Sequence, residues 1–599
     1  MTLEHYLQCV EFYRSTSVPD RVPSPENIEF VASLEKVIMP LYPEISAILD
    51  QYELGKSETL WDLMSFFCLR TTNPNYPRGD NPVDLFAIGV NHPDFDISPL
   101  GPIKDEILEL FRRHNIKAHV EIANDRHTYR PSFFFIASDH PLVKAYDQVK
   151  HRIVAIITRS TGSNFNMICP FNVGRTAAKA QPTIVVLIEP WTIANWYELR
   201  LQIVSQLLPH MGTDVFDVEF LPGGLSVLNN GIPFTHEITE QVPRMGSSIG
   251  IQGGRNAGTL GGFVTLTQRD DINGDVVRRG FLTNYHVVRP SEGPSDNSHF
   301  LERLDRFGSS PDCVVEKITM ESPARIDTDA TATKISKSLE AMRTFRNGFN
   351  AKEQERETLG ATPNCPAKPN SEDLEMVSRV DEDIEDWSFR QTTVQSMPYT
   401  LGEVKFVSGK EVRDGRVMDW AFVELSKDAE KFFEPNYMPS VPYECEPYHW
   451  GPSHVPPLVL TNGDPLEEFV SLKDGDYCLK KGRSTGLTAG VVNGPKAYCN
   501  WETPRETDSG RNVDTYSSPT EEFIILGAKT DRNNSSCPAF CMDGDSGSFV
   551  LSQWGEVSGL LWGGTSFQQY NIGLASSMPD VLASIQEKVG GSVELSLPT

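Results

Sequence analysis

A chain of 599 residues with 39% hydrophobic residues can bury several cores, about three or four domains at the usual domain size. Its 81 acidic against 54 basic residues give a formal charge of -27. Such a surface repels phosphate backbones and anionic membranes, so neither nucleic acid nor membrane is expected as a partner.

The first twenty residues, MTLEHYLQCVEFYRSTSVPD, lack the basic-then-apolar pattern of a secretory signal, and no window approaches ~20 consecutive apolar residues. Ten cysteines scattered over the chain do not form a disulfide framework. The expectation is a cytoplasmic, reducing location with free thiols, with the nucleus left open.

Residues 1–80 carry apolar residues at helical spacing and are expected to be a helical N-terminal segment. Residues 81–240 are expected to be an α/β domain. DLFAIGV (84–90), PIKDEILELFRRHN (102–115) and KAHVEIA (117–123) read as strand, helix and strand. The order recurs about 98 residues later in TIVVLIE (183–189), NWYELRLQIVSQLLPHM (195–211) and DVFDVEF (214–220). Two repeated β-α-β units of this kind predict an α+β region of ferredoxin-like halves.

From residue 245 the texture becomes short strands with glycine turns, which predicts an all-β sandwich or barrel to the end of the chain. Residues 320–398 interrupt it. TKISKSLEAMRTF reads as one helix, and residues 372–386 hold eight acids against one arginine, expected as a solvated or disordered, flexible insertion. Residues 435–465 are rich in proline and read as a long extended loop.

CMDGDSGSFV (541–550) poses a choice between an ordinary acidic turn and a serine held as a nucleophile. A serine nucleophile needs a histidine base and a carboxylate to orient it. His286 stands at the end of the apolar run GFLTNYHVV. Asp419 stands in GRVMDWAFVEL, where apolar neighbours pull the carboxylate inward and burial demands a partner. The order along the chain is His286, Asp419, Ser546, each in a β-rich stretch.

This order and these local sequences resemble the chymotrypsin-like (trypsin-like) serine peptidases. LTNYHVV is similar to that family's histidine strand, MDWAFVEL to its aspartate segment, and GDSGSFV to its nucleophile loop. KKGRSTGLTAGVV (480–492) resembles a strand pair of the bacterial and fungal branch, and GEVSGLLWGG (555–564) the strand lining the cleft. The resemblance spans roughly 245–590 and implies a double β-barrel with a long insertion.

It also implies roles. Ser546 attacks the scissile carbonyl, His286 moves the proton, and Asp419 fixes the imidazole tautomer. The backbone N–H groups of Gly544 and Ser546 form the oxyanion hole. Asp545 becomes a buried partner of the loop. Ser548 stands where the family has a second glycine. Cys541 is offset from the family's disulfide cysteine, and Phe540 replaces the acid of trypsin-type pockets, so cleavage after Lys or Arg is not expected. SSIGIQGG (247–254) loosely resembles the start released in zymogen activation, but the expectation is activity without a cut at Ile249 or Ile251.

No cofactor or metal is expected. Cys445, His449 and His454 fit no common zinc spacing, and GIQGGRNAGTLGG lacks the lysine of a phosphate loop. The functional expectation is an intracellular serine endopeptidase acting on a protein or peptide, with residues 1–240 regulating it or binding a protein partner. The alternative is a catalytically inactive peptidase-fold scaffold. An acyl hydrolase of the Gly-x-Ser-x-Gly type would show a Ser, Asp, His order instead.

Overall fold

The computed structural model describes residues 14–18, 27–52, 64–72, 81–90, 98–124, 132–174, 176–190, 192–228, 242–270, 274–290, 298–309, 317–359, 369, 371–439, 463–501, 516, 518–528, 539–565, 570 and 572–598. The chain divides into two compact units. One holds Met1–Leu225 with Ala497–Thr515 and Thr565–Tyr570. The other holds Ser226–Lys496, Tyr516–Gly564 and Asn571–Thr599. The second unit therefore begins some twenty residues before the boundary read at 245, and two later segments belong to the first.

In the first unit, residues 1–80 are not a separate helical segment. The helices Ala32–Ile38 and Tyr42–Gln51 are flanked by strands Asn27–Phe30 and Met64–Thr72, and Arg14–Thr16 is a further strand. These join Val83–Val90 and His119–Asn124 in one five-stranded sheet. The run MSFFCLRTT is β-branched and aromatic enough to be a strand, and pairing with Val83–Val90 over eight residues overrides the helical spacing around it. Helix Leu100–Arg113 buries Leu100, Ile103, Ile107, Leu110 and Phe111 against this sheet's core, a stripe at helical period.

Two stretches of this unit share one order of strand pairing. Strand Asn27–Phe30, helices, strand Met64–Thr72, strand Val83–Val90, helix and strand His119–Asn124 make the first copy. Ser132–Phe134, helix Pro141–Thr161, Phe165–Gly174, Gln181–Ile188, helix Trp196–Met211 and Asp217–Pro222 make the second. In both, strands pair in chain order: antiparallel, antiparallel, then parallel. The parallel register Leu85↔His119 returns as Thr183↔Asp217, 98 residues on in both strands. The two parallel strands are immediate neighbours in each copy. A ferredoxin-like unit splits them with a third strand, so that expectation is corrected.

In the second unit, six strands close a ring: Tyr477–Gly482, Gly486–Val492, Thr520–Gly527, Ile572–Ser577, Val557–Thr565 and Phe549–Ser552, which returns to the first. Every pairing is antiparallel. A second antiparallel sheet runs Ala257–Thr259, Ser248–Ile251, Thr319–Ser322, Tyr399–Val407, Ala421–Leu425, Gly274–Thr283, Gly262–Asp270, Gly591–Leu595. Only Leu260 and Gly261 separate Ala257–Thr259 at one edge from Gly262–Asp270 near the other, so the sheet curls back on itself. A closed barrel beside a nearly closed one is consistent with the chymotrypsin-like architecture. The glycine run is not a ligand loop: a Cβ on Gly258 would lie 2.5 Å from Val287, and one on Gly261 2.4 Å from the Gly547 carbonyl. Glycine is required there for close backbone approach.

The insertion is helical. Arg325–Leu359 and Ser371–Gln395 pack together through Ile335, Leu339, Met342, Ile384, Trp387 and Val394. The acidic stretch is solvated on its outer face, as expected, but it is not disordered: its apolar residues recur at helical period and find a partner helix. Among the described residues no helix is long and apolar enough to cross a membrane.

Candidate active site

Strand Gly274–Thr283 ends in a single helical turn, Tyr285–Val288, all four residues buried. Tyr285 Oη donates to Asp305 Oδ1 at 2.5 Å, and Arg289 grips both oxygens of Asp305 at 2.7 and 2.8 Å. The turn is thus pinned on both sides of His286.

Asp419 lies between strands Arg416–Met418 and Ala421–Leu425 and is 2% exposed. Its neighbour Trp420 is fully buried, with its backbone N–H on Ser408 Oγ and its indole N–H on Ser584 Oγ. Asp419 Oδ2 is 2.5 Å from His286 Nδ1, and Oδ1 accepts the His286 backbone N–H at 3.2 Å. Asn284 Nδ2 donates to the Asp419 carbonyl. A carboxylate on Nδ1 places the ring proton there and leaves Nε2 as the proton acceptor. That Nε2 is buried and has no hydrogen-bond partner among the described residues.

Ser546 sits on a loop leading into Phe549–Ser552. Gly544 (φ 93°) and Gly547 (φ 92°) flank it in left-handed backbone that only glycine adopts readily. A Cβ on Gly547 would fall 2.3 Å from Thr283 Oγ1, so the loop lies against the end of the strand that leads into the His286 turn. Thr259 N–H donates to the Ser546 carbonyl at 2.8 Å.

Asp545 anchors the loop. Its Oδ1 accepts the N–H groups of Ser484 (2.8 Å) and Thr485 (3.1 Å). Its Oδ2 accepts Lys480 Nζ (2.9 Å), Thr485 Oγ1 (2.7 Å) and the Met542 N–H (2.9 Å). Ser548 Oγ donates to the Asp545 carbonyl at 2.6 Å, which explains a serine where the family pattern has glycine. Beside this network, Arg483 forms a second fully buried ion pair with Asp327 through Nε at 2.7 Å and Nη2 at 2.5 Å. Asp327 belongs to the first turn of the inserted helix Arg325–Leu359. A Cβ on Gly544 would meet Arg483 Nη1 at 2.1 Å, so the guanidinium packs against the nucleophile loop.

Ser546 Oγ donates to the Trp562 carbonyl at 3.1 Å, and no hydrogen bond joins it to His286. The Gly544 N–H donates to the Leu228 carbonyl at 2.9 Å, while the Leu228 N–H donates to the Trp562 carbonyl at 3.3 Å. Burial, with Asp545 nearby, pushes the Asp543 carboxyl up to about 6, against the pull of His286. Burial, with Asp545 nearby, also raises the free Cys541 thiol against the pull of Lys480, so it behaves as packing. Phe540 is fully buried, and no charge stands there. Cys445, His449 and His454 lie outside the described residues.

Four residues important to this geometry carry no sequence signal that singles them out: Leu228, Asp327, Lys480 and Arg483. Lys480 and Arg483 fall inside KKGRSTG, but adjacent Lys481 is equally basic, and only the strand register decides which lysine points inward.

No family model matches the chain, and no curated protein does. Among solved structures it is similar to Thermobifida fusca Protease A, with a TM-score of 0.24 and 10% identity over 59% of this chain and 98% of that one. It is similar to Nocardiopsis protease at a TM-score of 0.23 and 9% identity, again over 59% and 98%. A Cellulomonas bogoriensis chymotrypsin gives a TM-score of 0.19 and 14% identity over 33% and 76%. Similarities at this level carry no argument about activity.

Proposed function

We propose that the chain is a serine endopeptidase working through an acyl-enzyme. His286 Nε2 takes the proton of Ser546 Oγ as the oxygen attacks the peptide carbonyl. The same imidazole then gives that proton to the departing amine, and water repeats the sequence on the ester. Asp419 holds the tautomer and stabilises the imidazolium. The Gly544 and Ser546 N–H groups face the developing oxyanion, a contribution of about 2.7–4 kcal/mol per donor. No cofactor or metal has a role in this scheme. Residues 1–240 are proposed to bind a protein partner or regulate access.

The observation that carries the reading is the imidazole fixed at 2.5 Å by a 2% exposed carboxylate, with its second nitrogen buried and unpartnered. A scaffold has no use for an unsatisfied buried base, which costs about 1–3 kcal/mol.

The test is covalent labelling with a fluorophosphonate probe, the adduct located by peptide mass spectrometry. Labelling at Ser546 that vanishes in Ser546→Ala and in His286→Ala is the expected result. Well-folded protein that never labels would return the scaffold reading.

A further inference from the structure

We propose that Leu228 is the acyl-side residue of an internal substrate, and that the protein cuts its own chain at the Leu228 carbonyl. The inference rests on the peptidase reading above.

Two backbone hydrogen bonds bracket Leu228. Its carbonyl accepts the Gly544 N–H at 2.9 Å, the donor assigned to the oxyanion, and its N–H donates to the Trp562 carbonyl at 3.3 Å. Ser546 Oγ donates to that same Trp562 carbonyl at 3.1 Å. The nucleophile and Leu228 therefore share one acceptor, and the carbonyl next in the chain already sits on the proposed oxyanion donor.

The side chain is seated as well. Leu228 is 2% exposed and belongs to a buried apolar cluster with Phe540, Cys541 and Leu561. A Cβ on Gly564 would lie 3.1 Å from Cys541 Sγ and 3.3 Å from Leu228 Cδ2, so Gly564 is the opening through which a leucine-sized group fits. One residue earlier in the strand, Gly563 faces the Ser226 carbonyl. Residues 226–228 thus lie along the Val557–Thr565 strand as an added peptide does, with backbone bonds giving affinity and an apolar pocket giving choice. The pocket predicts the substrate class: peptide bonds following leucine or a similar apolar residue, with no basic preference.

The step balances. Ser546 Oγ bonds to the Leu228 carbonyl carbon as its proton passes to His286. The bond from that carbon to the nitrogen of Asn229 breaks, and the proton goes to that nitrogen. Water then releases the Leu228 carboxylate and restores the serine. Lys480 already partners Asp545, so the cut is not needed to build the loop. Its effect is to separate residues 1–228 from the rest.

The experiment uses the full chain as wild type, Ser546→Ala, Leu228→Met and Leu228→Asp, with intact mass, N-terminal sequencing and fluorophosphonate labelling on each. The expected result is a new N-terminus at Asn229 in wild type and Leu228→Met. Ser546→Ala stays intact, and Leu228→Asp stays at least ten-fold less cut while still labelling at Ser546. Wild type that labels at Ser546 yet stays intact overturns self-cleavage and leaves the peptidase reading standing. Intact wild type with no labelling in wild type or in Leu228→Asp removes both.

Discussion

Lys480 and Asp545 form a 2.9 Å ion pair in which both side chains are fully buried, directly beneath the loop that carries Ser546. Two charges removed from water are tolerated only where their other valences are filled, and here they are: Lys480 also meets Thr485 Oγ1 and the Gly486 carbonyl, and Asp545 accepts three N–H groups. The carboxylate has no place left for an α-ammonium released by a cut at Ile249 or Ile251.

Lys480→Met leaves Asp545 buried without its cation. The expected cost is about 3–5 kcal/mol of stability, as for breaking other buried pairs from one side. On the proposed mechanism, labelling of Ser546 falls by at least ~100-fold, since misplacing one oxyanion donor alone costs about that much. Urea midpoints and labelling rates measure the two effects. Unchanged labelling together with a new N-terminus at Ile249 or Ile251 would show that the loop takes its cation from elsewhere.

The three candidate reacting residues are legible in the sequence through their conjunction, the order His, Asp, Ser with each in a recognisable local run: His286 after an apolar strand, Asp419 before Trp-Ala-Phe-Val, Ser546 in Gly-Asp-Ser-Gly. What it hid depends on register and long-range pairing. Lys480 and Lys481 differ only in which face of the strand they occupy. Asp327 and Arg483 are 156 residues apart and meet only in the fold. In residues 1–80 the helical spacing around 32–51 is genuine, while the strands beside it are settled by pairing, Asn27–Phe30 on Met64–Thr72 and that strand on Val83–Val90, which local spacing does not display. In the insertion, the density of acidic residues masks Val377, Ile384, Trp387 and Val394, whose spacing is a helix stripe.

The Asp327–Arg483 pair ties the inserted helices to the nucleophile loop. Asp327→Asn strands a guanidinium in the interior and is expected to cost about 3–5 kcal/mol. The double variant Asp327→Leu/Arg483→Met recovers most of that loss, because an apolar pair of similar volume carries no desolvation penalty. Labelling of Ser546 is expected not to recover with it, since the guanidinium that packs on Gly544 is gone. A double-mutant cycle on urea midpoints gives the first result. Recovery of labelling with stability would reduce the pair to a structural tie.

Glu522 gives the fold a pH dependence. Its Oε1 accepts the Val417 N–H at 2.8 Å, in the strand leading to Asp419, and burial pushes its carboxyl up to about 7. Below about pH 4.5 folded and unfolded chains both hold the proton. Between about 4.5 and 7 the unfolded chain gives it up first, so stability falls as pH rises and levels off above 7. A shift of this size corresponds to roughly 3 kcal/mol. Glu522→Gln keeps the hydrogen bond and is expected to remove that portion of the slope. The difference in urea midpoint between variant and wild type, measured at pH 4.5 and pH 8, checks it; equal differences at the two pH values would mean that Glu522 ionises normally.

Asp419→Asn separates tautomer from geometry. The amide is nearly isosteric, so the two contacts to His286, at 2.5 Å on Nδ1 and 3.2 Å on the backbone N–H, survive in outline. The amide nitrogen, however, donates to Nδ1, so the ring proton moves to Nε2, which then cannot accept the serine proton. The expected loss in labelling rate is on the order of 10⁴-fold with little change in folding stability. Raising the pH is expected to recover part of the rate, because hydroxide then removes the serine proton that His286 no longer accepts. A loss of less than ~10-fold would mean that Asp419 only buttresses the turn and that the imidazole tautomer does not control Ser546.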